Sequence, residues 1–253
     1  MLDCKPAATP TIQNYKLREC SNHAPTNKER YQRLVGKLIY LSHTCTDIVY
    51  AVSMVSQFMH SPSEVHMEAA IRILQYLKLA LGKGLLFSKN THLNIEGYTY
   101  ADWADSISDG RSTSGYFTFV DINLVTWRSK KQKVVALSSA EAEFRGMARA
   151  ICELLWLRKL MTEIGFAPKS AMSLFCGNKA AIEIAHNPVQ HDRTKHVEVD
   201  HHFIKEKIDA KEARFPFVKM EDQLADVLTK AVSSRVFYNS LGKLGIHDIY
   251  APT

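Results

Sequence analysis

Two acids and a basic run are the first places to look for chemistry in this 253-residue chain. Glu143 lies beside Phe144 and four residues before Met147, at the edge of an apolar stripe of helical period. A carboxylate there points toward whatever the stripe packs on, which is the geometry of an inward-facing ligand. Taken by itself, a helix acid in such a place is more often solvated. Glu141 follows Ser138 at capping-box spacing, which gives it a structural job. Asp226, alone, reads as a first-turn acid favoured by the helix dipole. Arg128, Lys130, Lys131 and Lys133 follow a predicted strand and suit phosphate contact, although short basic runs are usually solvated. His186, His191, His196, His201 and His202 with Asp200 bring no cysteine and no HExxH or C₂H₂ spacing, so they read as a polar segment facing substrate or solvent, not as a metal site. Trp103, Trp127 and Trp156 fall in predicted strands or a long helix, where core packing is the expectation.

The elements that must position these groups come from hydrophobic period. Residues 1–29, with Pro6, Pro10 and Pro25, read as an extended, poorly packed lead-in. Helical spacing runs from Tyr31 to Met59, broken around Thr44–Asp47, with Thr46 or Asp47 as N-cap. A third helix starts at the cap Ser63 and ends near Leu79. The period then changes. Leu93, Ile95 and Gly97–Trp103 read as a strand. Tyr116–Val120 and Leu124–Arg128 read as two more, joined by a tight turn at Asp121-Ile122-Asn123. Val134–Leu137 reads as a further short strand. A long helix over Ser139–Ile164 carries Phe144, Met147, Ile151, Leu155 and Leu160 on one side. Met172–Cys176 is a strand, Asn178–His186 and His196–Ile208 are helices, Ala213–Val218 is a strand, and Gln223–Lys230 and Ser233–Leu244 are helices. Helices come first, then three consecutive strands, then strands alternating with helices, an order that implies an α/β mixed sheet covered by helices.

Composition narrows the class. Hydrophobic residues are 46% and charged residues 23%, which excludes wholesale disorder, collagen and coiled coil. No apolar run approaches the ~20 residues that span a bilayer. The N-terminal stretch MLDCKPAATP has no basic region followed by an apolar one, and five cysteines stand in no CxxC spacing, so an intracellular place, cytoplasmic or nuclear and not secreted, is expected. Residues 1–95 hold 11 Lys+Arg against 6 Asp+Glu, which concentrates most of the net +6 there. A basic balance permits a polyanionic partner.

The segments ADWADS, GRSTSGY, TWRSKKQ, LSSAEAEF, NKAAIEIAHNPVQHDRTKHVEVDHHFIKEK and EDQLADVLTK closely resemble the ribonuclease H region of copia-type LTR-retrotransposon Pol polyproteins. YQRLVGKLIYL and FMHSPSEVHMEAAIRILQYLK resemble the connection segment after the reverse transcriptase of the same elements. The resemblance covers nearly the whole chain, in order. It implies a division into a lead-in (1–29), a helical connection segment (30–91), a ribonuclease H-like domain with a five-stranded mixed sheet (92–231), and a C-terminal helix and tail (232–253).

The resemblance also implies hydrolysis of RNA in an RNA–DNA hybrid, with two Mg²⁺ held by four carboxylates. Position by position, Glu143 and Asp226 match the family's ligands. Tyr100 stands at the ligand position of the first strand, where the family reads YTDADWA. Gly177 stands at the ligand position after the fourth strand, where the family reads YCDN. Asp102 lies on the face of position 100 but ~6.6–6.8 Å along the strand. Both departures are single-base steps from an Asp codon, as mutational decay would produce. Expected partners are RNA–DNA hybrid and the remainder of a Pol polyprotein, with no membrane. The expectation is a domain impaired in catalysis. Alternatives are a non-enzymatic binding or structural remnant, and an active nuclease in which Asp102 and Asn178 replace the missing ligands.

Overall fold

The computed structural model describes residues 4–13, 17, 24–89, 92–106, 109–187 and 195–250. They fall into two compact units, residues 1–86 with 230–253, and residues 87–229.

The first unit begins with a segment that is extended yet packed. Ala7 and Thr9 are buried, Ala7 N–H donates to the Gln75 carbonyl, and Arg72 Nη2 donates to Thr9 Oγ1 at 3.3 Å. The lead-in is therefore not loosely attached over its described part: small side chains on an extended backbone fit a helix flank. Helix α1 (Lys28–Leu41) is capped by Asn27, which accepts from Arg30 N at 2.9 Å. Helix α2 (Val49–Ser56) follows a short 3₁₀ turn (Thr46–Ile48). Neither Thr46 nor Asp47 caps it. Instead the Asp47 carboxylate accepts from Tyr76 Oη at 2.5 Å. Helix α3 (Glu64–Leu79) starts as expected at Ser63, whose N–H donates to His66 Nδ1 at 3.0 Å. His66 in turn stacks on Phe58. Strand β1 (Lys83–Leu85) ends this part.

The second unit is built on the mixed five-stranded sheet that the sequence implies. Its strands are β2 (Ile95–Asp102), β3 (Thr113–Val120), β4 (Asn123–Lys131), β5 (Met172–Cys176) and β6 (Ala213–Arg214), in the order β4-β3-β2-β5-β6. The first three are antiparallel; β5 runs parallel to β2, and β6 to β5. Helices α4 (Ser139–Glu163), α5 (Lys179–His186) and α6 (Lys195–Asp209) supply the cover. The β3–β4 turn sits at Asp121, in the left-handed region at φ 56°. Expectation and structure part at several points. Val134–Leu137 is not a strand; an apolar run with no neighbouring strand to pair with stays a loop, and Val135 and Leu137 are exposed. Ala213–Val218 pairs only over its first two residues, because Pro216 has no N–H to donate. A single bridge between Phe217 and Cys176 resumes the pairing. Gln223–Lys230 forms a 3₁₀ turn (Leu224–Leu228) rather than an α-helix.

Helix α4 provides most of the core. Phe144, Met147, Ile151, Leu154 and Leu157 are buried against Ile95, Met172, Leu174 and Ile204. Leu155 is only partly buried and Leu160 is 37% exposed. At 100° per residue, Leu160 lies more than ~100° from the line through Met147 and Leu154. The tryptophans do not fill the core either. Trp156 falls roughly opposite the buried stripe and is 52% exposed. Trp103 is 49% exposed, with its indole N–H donating to the Ala136 carbonyl. Trp127 is partly buried.

The chain then returns to the first unit with α7 (Ser234–Lys243) and β7 (Ile246–Asp248). Strand β7 pairs antiparallel with β1. Tyr238 Oη donates to the Ala8 carbonyl at 2.7 Å, and Phe237 meets Tyr76 edge-on. Residues 232–253, read as a C-terminal helix and tail, are thus part of this unit.

Candidate functional site

Strand β2 alternates strictly: Ile95, Gly97, Thr99 and Ala101 are buried, while Glu96, Tyr98, Tyr100 and Asp102 are half-buried. The buried set faces α4. Gly146 is what lets the helix come this close, since a Cβ there would stand 3.3 Å from Thr99 Oγ1 and 3.8 Å from Ala101 Cβ. Tyr100 and Asp102 share the opposite face, as the alternation predicts. Tyr100 pairs directly with Gly115 of β3, and directly paired residues share a face. On that face lies the Leu224–Leu228 turn, packed so tightly that a Cβ at Gly115 would stand 2.5 Å from Leu228 Cβ.

Glu143 comes from the first turns of α4 and is 2% exposed, with Oε2 sealed from solvent. Ser138 accepts the Glu141 N–H at 3.1 Å, and Glu141 Oε2 takes the Leu137 N–H at 2.7 Å. The capping arrangement is therefore present, shifted by one residue on its return bond. Glu143 lies near Cys176. Burial first, and the Glu143 charge second, push the Cys176 thiol up to about 12. Gly177 follows directly. A Cβ there would meet Gln223 Nε2 at 3.6 Å and the Val218 carbonyl at 3.8 Å, ordinary contacts that leave room for a side chain.

Asp226 is 7% exposed, with Oδ1 sealed. What holds its turn is Gln223, which in the sequence marks only a helix start. Gln223 is 5% exposed; its Nε2 donates to the Thr99 carbonyl at 3.0 Å and its Oε1 accepts from Ala225 N at 3.1 Å. One side chain thus caps the turn that carries Asp226 and ties it to β2 beside Tyr100. A polar residue just before L-A-D was the available signal. Gln132, in the basic run, does a similar job: it is 1% exposed and its Nε2 donates to the Ala142 carbonyl at 2.8 Å.

The structure therefore gathers Glu143, Cys176 and Gly177 at the end of β5, and links Gly177 through Gln223 to Asp226 and to the end of β2. Among the described residues, no group of three His, Cys, Asp or Glu side chains is placed to hold a metal ion. His201 Nε2 stands 3.0 Å from the carbonyls of both Ile184 and Asn187, which fastens α6 to α5. His191 and the His196 side chain lie outside the described residues.

The basic run divides. Arg128 and Lys130 share the α4 face of β4, pairing with Tyr116 and Ser114. With Lys133 they line a groove of about 720 Å³ beside α4. Lys131 points away; it pairs with Asp109 at 2.9 Å and donates to Ser106 Oγ at 2.7 Å. No helix among the described residues is long and apolar enough to cross a membrane.

No protein-family model matches the chain. It is 39% identical, over 97% of its length, to the retrovirus-related Pol polyprotein from transposon RE1 of Arabidopsis thaliana. It is 34% identical, over 98% of its length, to the corresponding polyprotein from transposon TNT 1-94 of Nicotiana tabacum. It covers 17% and 19% of those polyproteins, so it spans less than a fifth of either. Among solved structures, LC11-RNase H1, isolated from compost by a metagenomic approach, aligns with 58% of this chain and 98% of its own. The identity is 14% and the TM-score 0.41, too distant to bear on ligand or activity. With sequence identity at the level of the polyprotein matches along nearly its whole length, the chain belongs to the family of retrovirus-related transposon Pol polyproteins that its motifs resemble.

Proposed function

We propose that the chain carries a ribonuclease H-like domain of copia-type origin that engages RNA–DNA hybrid and hydrolyses it poorly. One observation carries this reading: Glu143 and Asp226 sit buried at the end of the sheet, while the two other positions expected to supply carboxylates there hold Tyr100 and Gly177. A pair of Mg²⁺ does not fit that donor set. Four carboxylates balance two dications; two leave about +2 uncompensated before substrate arrives. A phenol of ordinary pKa ~10 stays neutral at pH 7 and does not replace the anion. Asp102 shares the face of Tyr100, but ~6.6–6.8 Å along the strand, beyond a direct ligand distance. The residues present position a hybrid; they lack the charge to clamp the attacking water and leaving oxygen. In this reading the partners are RNA–DNA hybrid and the rest of a Pol polyprotein, and the place of action is cytoplasm or nucleus.

A purely binding role is the second reading, favoured by the groove lined by Arg128, Lys130 and Lys133. One experiment separates them. The chain is titrated with Mg²⁺ and Mn²⁺ by calorimetry and assayed on labelled hybrid beside Tyr100→Asp/Gly177→Asp. The expected result is negligible cleavage by the parent, Mg²⁺-dependent cleavage by the double variant, and little from either single change, because ligands of one centre act as a unit. Cleavage by the parent as fast as by the double variant would sink the first reading. A double variant that folds and binds metal without cutting favours the second.

A further inference from the structure

The groove beside α4 holds more positive charge than the run from Arg128 to Lys133 supplies. We propose that Arg149, with Arg128 and Lys133, anchors a backbone phosphate of a nucleic acid on this flank of α4. The site is separate from the carboxylates at the end of the sheet. The inference rests on the hybrid-binding reading for its ligand class, and on no hydrolysis.

Arg145 and Arg149, four residues apart, share one flank of the helix, about 200° round from Glu143 in the case of Arg145. The groove they line runs from Ser114 and Gly146 at the sheet end to Cys152 and Glu153, about 10 Å along α4. Its charged lining comprises five cations (Arg128, Lys130, Lys133, Arg145, Arg149) and two acids (Glu153, Asp200). Arg145 is answered from outside by Glu141 at 2.8 Å. Glu153 is engaged by Tyr116, whose Oη donates to its Oε2 at 3.1 Å. Burial first, and the Arg128 and Arg145 charges with it, oppose the charge of Arg149, while the carboxylate of Asp200 on α6 favours it. Arg149 Nη1 is sealed from solvent and has no hydrogen-bond acceptor among the described residues. Three guanidinium groups lining one groove repel one another, and an anion between them relieves that repulsion. The planar guanidinium fork matches a phosphate oxygen pair. An open groove of about 720 Å³ suits a continuing chain of phosphates better than a single small anion.

The test is fluorescence anisotropy of a labelled RNA–DNA hybrid with the full chain in EDTA, from about 50 to 200 mM salt. Arg149→Gln should weaken binding roughly 3- to 10-fold and flatten the log–log salt slope by about one. Arg128→Gln/Lys133→Gln should do the same and keeps the test valid if Arg149→Gln fails to fold. Asp200→Asn should tighten binding, a gain that mere structural damage does not produce. Lys131→Gln, outside the groove, should leave affinity and slope nearly unchanged. Folded groove variants with parental affinity and slope overturn the proposal, as does a loss from Lys131→Gln as large as theirs. Because no metal or cleavage enters, a parent chain that proves to be an efficient nuclease overturns the functional reading without touching this one.

Discussion

Gly115→Ala adds one methyl group at the place where the sheet and the Asp226 turn come closest. The new Cβ would stand 2.5 Å from Leu228 Cβ, 3.2 Å from Thr229 Cγ2 and 3.3 Å from the Arg128 carbonyl. Leu228 and Thr229 are fully buried, so neither can swing into solvent. The clash is with a Cβ, which moves only with its backbone. Either the 3₁₀ turn shifts outward or β3 bends. Overpacking of this kind costs about 1–3 kcal/mol, which for a unit of this size lowers the melting temperature by roughly 3–10 °C. The turn is also held by Gln223, so its displacement should stretch the bond to the Thr99 carbonyl. The assay is thermal and urea unfolding of the variant against the parent, with hydrogen exchange at Ala225 and Thr229 as the local readout. A Gly115→Ala variant as stable as the parent, with unchanged protection at those amides, would refute the close approach and with it the placement of Asp226.

Three further outcomes follow from the same packing. Gln223→Leu leaves the Thr99 carbonyl without its donor and the turn without its cap, and should cost about 1–3 kcal/mol in denaturant unfolding. Burial holds the Cys176 proton up to about 12 from 9.0, so the folded chain keeps a proton that the unfolded chain releases. That contribution is full below pH 9 and disappears as pH climbs toward 12; Cys176→Ala should therefore show a smaller alkaline loss of stability than the parent. Tyr76→Phe removes the donor to Asp47, whose carboxyl burial already raises. The charged form is then penalised further, so the variant's deficit should be larger at pH 7 than near pH ~4, where the carboxyl can protonate.

What the chain reveals of itself depends on the scale of the cause. IEGYTYAD alternates in sequence, and the strand alternates in burial, because one side chain period decides both. Ser63, Ser138 and the Leu124–Arg128 strand are similarly local. The errors lie where a distant partner decides. Val134–Leu137 has strand composition and no strand beside it. Ala213–Val218 has the right residues, but Pro216 interrupts the ladder. Leu160 and Trp156 continue the apolar composition of their helix but lie off the face that packs on the sheet. At the site, Glu143 and Asp226 carry a visible signature in type and spacing. Gly115 and Gln223 do not, because their importance is the approach of an element more than a hundred residues away.

Strand β4 closes one side of the five-stranded sheet, and among the described residues no strand pairs with its outward backbone groups. Such a border invites a second chain to add on, with aggregation as the result, unless charge keeps it away. Arg128, Lys130 and Lys131 lie on this border and Lys133 just past it. Their positive charge works against strand addition at this border. Neutralising several at once therefore removes a colloidal safeguard. Multiply substituted chains should begin to self-associate in a concentration-dependent way, visible by light scattering, while Glu143 and Asp226 variants stay monodisperse.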